Sequence, residues 1–495
     1  MRSIIEVARL SSKAFLTLLF ILGAISLSPA QSEEPKTDSP DIQQLKERIK
    51  LLEETVQELK RQVATVEQSQ KPVATTEPRI IQAVAQSEPA AQPAPPVVPD
   101  PLPPSVGPVA KSKSKSGQST GESTFEVYGF AMLDAGYQFG QNDPDWFDVI
   151  RPTKLPSFED EFAPSGKVYY GVRQTRFGVK SSTPTSLGEL KTQFEFELFG
   201  TGADAGQTTF RLRHAYGELG QFGAGQYWSP FMDIDVFPNS IEYWGPVGMV
   251  FFRNVQFRWM PLKGKNAITI ALERPGASGD QGRFEDRNEL QGVRPKFDLP
   301  DLSGHVRFNR KWGHVQIAGL LRRIKWTDET DDNIDLDGDT VAGGVNVTSN
   351  LKFTPKDTGR FSITYGTGIQ NYMNDATVDI GIAAGNTNDP RRPIRGVALP
   401  LFAMVAFLDH SWNKKFSTSV GYSMQNMNNS DGQSPSAFKR GHYALGNLLY
   451  YPVENVMIGG ELQWGKRENF LDGFSSDDVR IQFSFRYNFS KLFKF

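Results

Sequence analysis

The sequence predicts an all-β protein, a 16-stranded antiparallel transmembrane β-barrel preceded by a short α-helical coiled coil. Three observations predict this architecture. After position 123, apolar residues follow the two-residue period of β-strands. The connections between these stretches alternate between short turns and mostly longer loops, as they do in outer-membrane barrels. Ahead of them, residues 42–66 carry a heptad repeat, which is typical of a coiled coil.

The composition is compatible with a barrel and excludes several other classes of protein. The 495 residues carry a formal net charge of −2, which provides no overall basic field for nucleic acid. Cysteine is absent, which excludes disulfides, thiol catalysis and cysteine-based metal sites. The aromatic content of 12% suits the lipid-facing surface and interfacial girdles of a barrel.

Residues 1–30 have the pattern of a signal peptide. A basic start is followed by an apolar run at 14–27 and by small residues that allow cleavage before Gln31. The run is too short for a membrane anchor. We therefore expect an exported protein, located in the outer membrane of a Gram-negative bacterium.

After an acidic spacer at 31–40, residues 41–69 predict a periplasmic coiled coil. Eight apolar residues repeat at alternating spacings of three and four: Ile42, Leu45, Ile49, Leu52, Val56, Leu59, Val63 and Val66. Such helices bury their apolar stripe only by pairing, so we expect an oligomer. Ile or Val at a with Leu at d favours two strands, whereas a porin barrel favours three. Because a barrel interface would outweigh four heptads, we expect a homotrimer.

Residues 70–123 form a linker rich in proline, with Lys111, Lys113 and Lys115 alternating with serine. Such a segment cannot bury a core and is expected to be extended or disordered. Its basic tract is interpreted as a solvated tether, with contact to anionic lipid or cell wall as the alternative.

Residues 124–495 predict the barrel. The sixteen strands are expected near 124–139, 167–182, 188–200, 208–220, 222–229, 252–261, 266–274, 303–310, 313–326, 340–354, 359–372, 398–411, 415–426, 439–451, 455–467 and 477–489. Sixteen strands enclose a space too wide for side chains of the wall to fill, which predicts an aqueous channel. The last strand alternates strictly and continues to Phe495, a terminal aromatic suited to recognition by the barrel-assembly machinery.

Strand alternation then predicts which side chains line the channel. If Phe177 and Val179 face lipid, Arg176 and Lys180 face inward. The same argument turns five further charged residues inward: Lys191, Glu195, Glu197, Arg211, Arg213. In the sixth strand it places Arg258 inward, and elsewhere Arg307, Arg480 and Arg486. Tyr216 is predicted to face outward, and His214 has the parity of the lipid face.

The short fifth strand leads into a loop of about 23 residues that carries Asp233, Asp235 and Glu242. A loop that leaves a strand early is well placed to fold into the channel and narrow it. An arginine-rich wall facing these acids would favour and orient small anions such as carboxylates. The alternative is that the arginines pair with Glu195, Glu197 or the loop acids and only brace the wall.

Other patterns are less specific. The acidic loop 329–339 resembles the start of a calcium loop, but Gly344 stands where the bidentate glutamate is required. Arg391, Arg392 and Arg395 in an outer loop could attract anions, bind lipopolysaccharide phosphates or be solvated. No Ser/His/acid set falls together at a rim, so we predict no catalytic residues, no metal and no cofactor.

Three segments resemble a known family: GVRQTRFGVKSSTPTSLGELKTQFEFELFG, TTFRLRHAYGELGQFGAGQYWSPF and MDIDVFPNSIEYWGPVGMVFFRNVQFRWMP. They are similar to the DcaP-like porins of Gram-negative bacteria, over roughly residues 124–275, and the N-terminal coiled coil is also similar to that family. The resemblance implies a homotrimer of 16-stranded barrels that takes up negatively charged small molecules such as dicarboxylic or aromatic acids. It further implies that Arg176, Arg211, Arg213 and Arg258 line the path.

The predicted function is therefore passive, anion-preferring diffusion across the outer membrane, where lipid and lipopolysaccharide surround the barrel. Two alternatives remain. One is a structural or adhesive barrel tethered to the periplasm by its coiled coil, which would tolerate replacement of the lumen arginines. The other is a weakly selective general porin, which the acidic loop favours.

Overall fold

The computed structural model describes residues 121–385 and 389–495. The predicted signal peptide, spacer and coiled coil, and nearly all of the linker, lie outside these ranges. Within them, antiparallel pairing joins sixteen strands into a closed barrel, because β1 pairs with β16 from Thr124↔Lys494 to Gln138↔Arg480. The predicted 16-stranded barrel is thus confirmed. Among the described residues, no helix is both long and apolar enough to cross a membrane.

The strands are β1 Thr124–Gln138, β2 Lys167–Gly171 with Arg176–Thr185, β3 Gly188–Phe199, β4 Thr208–Leu219, β5 Phe222–Trp228, β6 Arg253–Leu262, β7 Asn266–Glu273, β8 Val293–Lys296 with Asp301–Arg310, β9 Gly313–Asp328, β10 Gly338–Lys352, β11 Asp357–Thr367, β12 Pro400–Ser411, β13 Phe416–Met427, β14 Phe438–Tyr450, β15 Val456–Asn469 and β16 Ser475–Lys494. Both segments of β2 pair with β1. In β8, segment Asp301–Arg310 pairs with β7 and β9, while segment Val293–Lys296, nearer the long loops, pairs with β9. We therefore count each pair of segments as one strand with a break in its pairing.

The connections differ in length at the two ends of the barrel. Turns of two to five residues join the strands at one end, which in barrels of this kind is the periplasmic end. Loops of up to 32 residues, the longest at 368–399, join them at the other. This longest loop contains a hairpin of Ile380–Ala384 with Ile394–Ala398. The described loops also hold short 3₁₀ helices, at Pro144–Trp146, Pro152–Lys154, Gly202–Asp204, Ile234–Val236, Gly282–Phe284, Asn288–Gly292 and Gln370–Tyr372.

Side chains alternate along the strands between an apolar outer face and a mostly polar inner face. In β16, Phe483, Phe485 and Tyr487 are exposed on the outside, while the intervening Gln482, Ser484 and Arg486 are buried inside. The same alternation exposes Phe177 and Phe194 and buries Arg176, Glu195 and Glu197. A wall of this kind presents hydrocarbon to lipid and hydrogen-bonding groups to the interior.

A β-bulge in β4 reverses this alternation and corrects two predictions. The pairing of β3 with β4 shifts between Glu195↔His214 and Phe196↔Leu212, so one extra residue of β4 lies in that step. Past the bulge, His214 and Tyr216 face the interior, where both are buried. The predictions that Tyr216 faces outward and that His214 has the lipid-face parity were therefore wrong.

The interior also contains an apolar core, which alternation alone did not predict. Residues 229–252, the loop after β5, fold into the barrel, where their apolar side chains form one cluster with apolar side chains of the wall. Phe231, Phe237 and Phe251 are fully buried there. The inward-facing apolar residues of the wall lie on β9, β12 and β14: Ala318, Leu320, Leu401, Ala403, Val405, Phe407, Tyr443 and Leu445. The loop therefore packs against the β9–β14 side.

Candidate functional site

Arginines crowd the inner wall formed by β2, β3, β4 and β6. Arg176, Arg211, Arg213 and Arg253 all have a guanidinium nitrogen within 4 Å of Glu197, and Arg176 and Arg213 also approach Glu195. We call these four side chains the arginine cluster. It contains the predicted inward residues Arg176, Arg211 and Arg213. Arg253 was not predicted to face inward. It is the first residue of β6 and lies five residues before Arg258, so strand alternation assigns it to the opposite face.

Glu197 is the centre of the arginine cluster. Its Oε1 lies 3.1 Å from Arg211 Nη2 and 3.5 Å from Arg253 Nη2. Its Oε2 lies 3.2 Å from Arg176 Nη2 and also accepts from Arg213. The hydroxyl of Tyr243, in the loop after β5, donates to the same carboxylate. One carboxylate therefore orients four guanidiniums and fixes the loop to the wall.

Glu195 is the second carboxylate of this wall. Arg213 Nε donates to its Oε1 at 2.6 Å, and Tyr128 on β1 donates to its Oε2 at 2.7 Å. The ring of His214 lies 3.9 Å away and packs against Tyr227 and Trp228. Among the described residues, four guanidiniums therefore share these two carboxylates.

Two further arginines, Arg258 and Arg486, are buried on the inner face of the wall. Within the described part of the chain, neither Arg258 nor Arg486 forms an ion pair. Arg258 donates to Gln256 and to the Trp228 carbonyl, and its guanidinium lies over the rings of Tyr216 and Tyr227 at 5.3 and 5.0 Å. Arg486 and Arg176 both lie 5.1 Å from the ring of Phe130. Aromatic rings, instead of carboxylates, therefore contact the guanidiniums of Arg258 and Arg486.

Arg211 differs from the rest of the cluster in its hydrogen bonding. Its side chain is 12% exposed, and among the described residues its ion pair is the 3.1 Å contact with Glu197. None of its three guanidinium nitrogens has a hydrogen-bond partner there, and all three are buried. Arg211 therefore keeps donors that suit a carboxylate but that are not exposed to solvent in this structure.

A cavity of about 270 Å³ opens at the periplasmic end beside this wall. Its lining includes Lys180, Lys191, Gln193, Tyr216 and Tyr227. Lys180 is half-exposed, pairs with Glu126 at 3.1 Å and lies 5.1 Å from the ring of Tyr128. Lys180 therefore faces inward as predicted. It lies at the periplasmic mouth of the barrel and not within the arginine cluster.

The loop acids pair with cations outside the arginine cluster. Asp233 accepts from Arg307 at 3.0 Å, His314 at 2.6 Å and Thr348 at 2.6 Å, and Asp235 also pairs with Arg307. These contacts lie on β8–β10, on the side where the loop packs. The loop is thus anchored to the wall by its own charges.

Glu242 lies further along the same loop. It accepts from the backbone amides of Ile150 and Gly245 and pairs with Arg480 at 3.5 Å. Next to it, Ile241 is bonded through its amide to Glu461 on β15. The loop after β5 therefore contacts β8–β10 near its start and β15–β16 near Glu242, following the inner wall instead of crossing the barrel freely.

Loop 139–166 covers the arginine cluster on the side of the long loops. Trp146 and Val149 pack with Phe199, Tyr243 and Trp244. Arg151 lies 4.2 Å from the ring of Trp146 and 3.9 Å from that of Trp244, and its Nε donates to Asp375 at 3.0 Å. Loops 139–166, 229–252 and 368–399 therefore meet above the cluster, where Arg151 contacts Trp244 of the second loop and Asp375 of the third.

The weaker motifs lie in exposed loops. In the acidic loop, Asp335 pairs with Arg392, and this guanidinium lowers the pKa of the Asp335 carboxyl. Arg391 lies 3.5 Å from Asp389, and Arg395 donates to the Ala384 carbonyl. Among the described residues, no cluster of His, Asp and Glu has the arrangement of a metal site.

Comparisons with known proteins give one family and several similar structures. A family model described as DcaP outer membrane protein matches residues 110–489. The outer membrane channel DcaP of Acinetobacter baumannii is 22% identical with a TM-score of 0.62, over 75% of this chain and 99% of that chain. An anion-selective porin from Comamonas acidovorans is 9% identical with a TM-score of 0.49, over 74% of this chain and 100% of that chain. A comparison with curated proteins finds no match.

Proposed function

The chain belongs to the DcaP outer membrane protein family, and from this premise we propose that it is a passive channel for small anionic solutes such as dicarboxylates or aromatic acids. Membership places it among porin-like channels of the outer membrane. The preference for anions is the proposal, and it rests on the charge of the β2–β6 wall.

One observation carries this proposal: two arginines of the inner wall, Arg258 and Arg486, form no ion pair within the described residues. Next to them, the arginine cluster adds four guanidiniums around Glu195 and Glu197. Inside a narrow, weakly screened passage such charges raise the local concentration of anions and exclude cations. The three buried guanidinium nitrogens of Arg211 have no hydrogen-bond partner among the described residues.

The acids of the loop after β5 are the main argument for a weakly selective pore. Asp233 and Asp235 share Arg307, and Glu242 pairs with Arg480. Their charges are therefore partly neutralised locally, whereas Arg258 and Arg486 form no ion pair among the described residues. This difference favours an anion-preferring channel.

The test is the reversal potential of the full-length protein in a planar bilayer under a salt gradient. We expect wild type to prefer chloride and Arg211→Gln/Arg258→Gln to lose much of that preference. The control is Arg323→Gln/Arg440→Gln, which removes two cations from the outer wall and should behave as wild type. Cation preference of the wild type would overturn the proposal, as would an unchanged preference in the Arg211/Arg258 variant.

We also infer assembly and insertion partners. The heptads of residues 41–69 and the apolar outer wall support a homotrimer embedded in outer-membrane lipid. The last strand runs to Lys494 and presents an exposed Phe495, which supports recognition by the barrel-assembly machinery.

A further inference from the structure

The outer wall carries a cationic patch at the loop end of β8 and β9. Arg294 and Lys296 lie on the upper segment of β8, and Arg323 and Lys325 lie on β9. We call these four side chains the rim cluster. Pairing joins Lys296 with Lys325 and Arg294 with Thr327. Because residues paired across antiparallel strands point to the same face, all four extend from one side of the sheet.

That side is the outer one. In β9, Ile317 and Leu321 are exposed on the outside, and Arg323 and Lys325 continue the same two-residue series. Below the rim cluster the exposed surface is apolar, since Leu302 pairs with Leu321 and Val341 lies opposite Arg323. The surface therefore changes from apolar to cationic within two residues of β9, which marks the upper edge of the hydrocarbon region.

The rim cluster has more cations than the protein neutralises. Arg323 pairs with Asp339 at 2.8 Å and Lys325 with Asp298 at 3.4 Å. Arg294 donates to the carbonyls of Gln291 and Val293. Within the described residues Lys296 has no ion pair and no side-chain hydrogen bond, although it lies directly opposite Lys325.

Two lysines directly opposite each other in a sheet repel. Two carboxylates lie nearby, but Lys325 shares Asp298 with Arg323, and Asp339, which lies opposite Lys325, pairs with Arg323. A phosphate between the two ammonium groups would convert this repulsion into two charge-assisted hydrogen bonds. Anionic lipid adds its acyl chains, which the apolar surface beneath the rim cluster can contact.

From this juxtaposition we propose that the rim cluster is a binding site for the phosphate group of an outer-leaflet glycolipid, with the lipid's acyl chains lying along Leu302, Leu321 and Val341. Lys296 and Lys325 hold the phosphate, and Arg323 and Arg294 flank it. The site lies outside the channel, so it is independent of the proposed selectivity.

The chain offers a matched comparison at the same end of the outer wall. There, Arg440, His442 and Lys466 on β14 and β15 converge on Glu468, at 3.4, 3.5 and 3.1 Å. These side chains share a carboxylate of their own and contain no directly opposed lysines. Removing two of them changes the surface charge as much as removing Lys296 and Lys325.

The experiment measures binding of phosphorylated lipid A to the full-length protein in detergent by native mass spectrometry. We expect Lys296→Gln/Lys325→Gln to weaken binding about thirtyfold, since each lysine near anionic lipid contributes about fivefold. Arg440→Gln/Lys466→Gln should change binding much less. Both variants alter exposed side chains, and heat-modifiable gel migration verifies that each barrel is folded.

Two further ligands distinguish a lipid phosphate from other anions. Dephosphorylated lipid A should bind to wild type as weakly as lipid A binds to the Lys296/Lys325 variant, and millimolar inorganic phosphate should not displace lipid A. Equal losses in the two variants, undiminished binding of the dephosphorylated lipid, or displacement by inorganic phosphate would each overturn the proposal. Channel conductance of both variants should remain that of wild type, so failure here leaves the proposed function untouched.

Discussion

Glu197 shows how a single carboxylate can hold the inner wall together. It approaches four guanidiniums and accepts from Tyr243, in an environment where its side chain has no exposure to solvent. Removing one member of a buried ionic group leaves its partners charged and unpaired, which is more costly than the pair itself is stabilising. The charge of Glu197 therefore has a structural role as well as an electrostatic one.

We expect Glu197→Gln to lower the free energy of unfolding by about 3–5 kcal/mol, because four buried guanidiniums would lose the carboxylate that they share. The measurement is thermal unfolding of the full-length protein in detergent. Glu189→Gln is the control on the same strand, since Glu189 is half-exposed in the turn region, where it pairs with Lys191 and accepts from Ser182. If Glu197→Gln lowered the unfolding temperature no more than Glu189→Gln does, other groups would have to neutralise the guanidinium charges.

At the residue scale, the sequence predicted the direction of most side chains but not the places where alternation breaks. Arg176, Arg211, Arg213 and Arg258 face inward as predicted. Tyr216 and His214 do not follow the prediction, because a bulge adds one residue to β4 and no composition signal marks it. Whether the arginines select solutes stays a prediction, since their pairing with Glu195 and Glu197 also fits a bracing role.

At the element scale, the strands were predictable because apolar and polar residues alternate along the sequence of an amphipathic strand. The loop after β5 was harder. Its early departure from a seven-residue β5 predicted that it enters the barrel, where the structure places it. Which wall it contacts depends on tertiary packing, so the pairing of Asp233 with Arg307 and His314 had no signal in the sequence.

This loop is also bonded to another loop by a short sheet. Val250 forms an antiparallel bridge with Met373, between hydrogen bonds from Phe251 N to Tyr372 O at 2.9 Å and from Asn374 N to Met249 O at 2.8 Å. Residues opposite each other between such bonds have Cα atoms about 4.5 Å apart, which suits a disulfide. The chain has no cysteine of its own, so an engineered pair would be unambiguous.

We expect Val250→Cys/Met373→Cys to form a disulfide and to conduct equally when oxidised and reduced, because the loop already occupies the linked position. Single-channel conductance before and after addition of a reductant provides the measurement, and Val250→Cys alone controls for the substitution. Conductance that appears only after reduction would show that the loop must leave the wall for solutes to pass.

At the scale of the whole molecule, the barrel interior is asymmetric. Many apolar side chains of loop 229–252 pack against β9, β12 and β14, although Ile241 packs on β1 and Tyr243 on β3. The arginine cluster and the periplasmic cavity lie along β1–β6. Sixteen strands alone predicted a wide aqueous lumen, but much of that width is occupied by the chain's own loops. Solutes that enter would therefore be directed along the charged wall, which is where the proposed preference for anions arises.

The proposed assembly of several barrels would depend on two features of very different size. The heptads at 41–69 lie outside the described residues and amount to about four repeats. The outer wall, by contrast, exposes large apolar residues such as Tyr170, Phe194 and Phe210 on β2, β3 and β4. Obligate interfaces are large and apolar, so contact between barrels should contribute more to assembly than the heptads do.

We therefore expect a protein lacking residues 31–70, with its signal peptide retained, to remain a folded trimer in detergent. Multi-angle light scattering with correction for bound detergent measures its mass, and the full-length protein is the reference. A truncated protein that is monomeric yet still shows heat-modifiable gel migration would place the assembly energy in the heptads. In that case the apolar residues of β2–β4 would face lipid, like the rest of the wall.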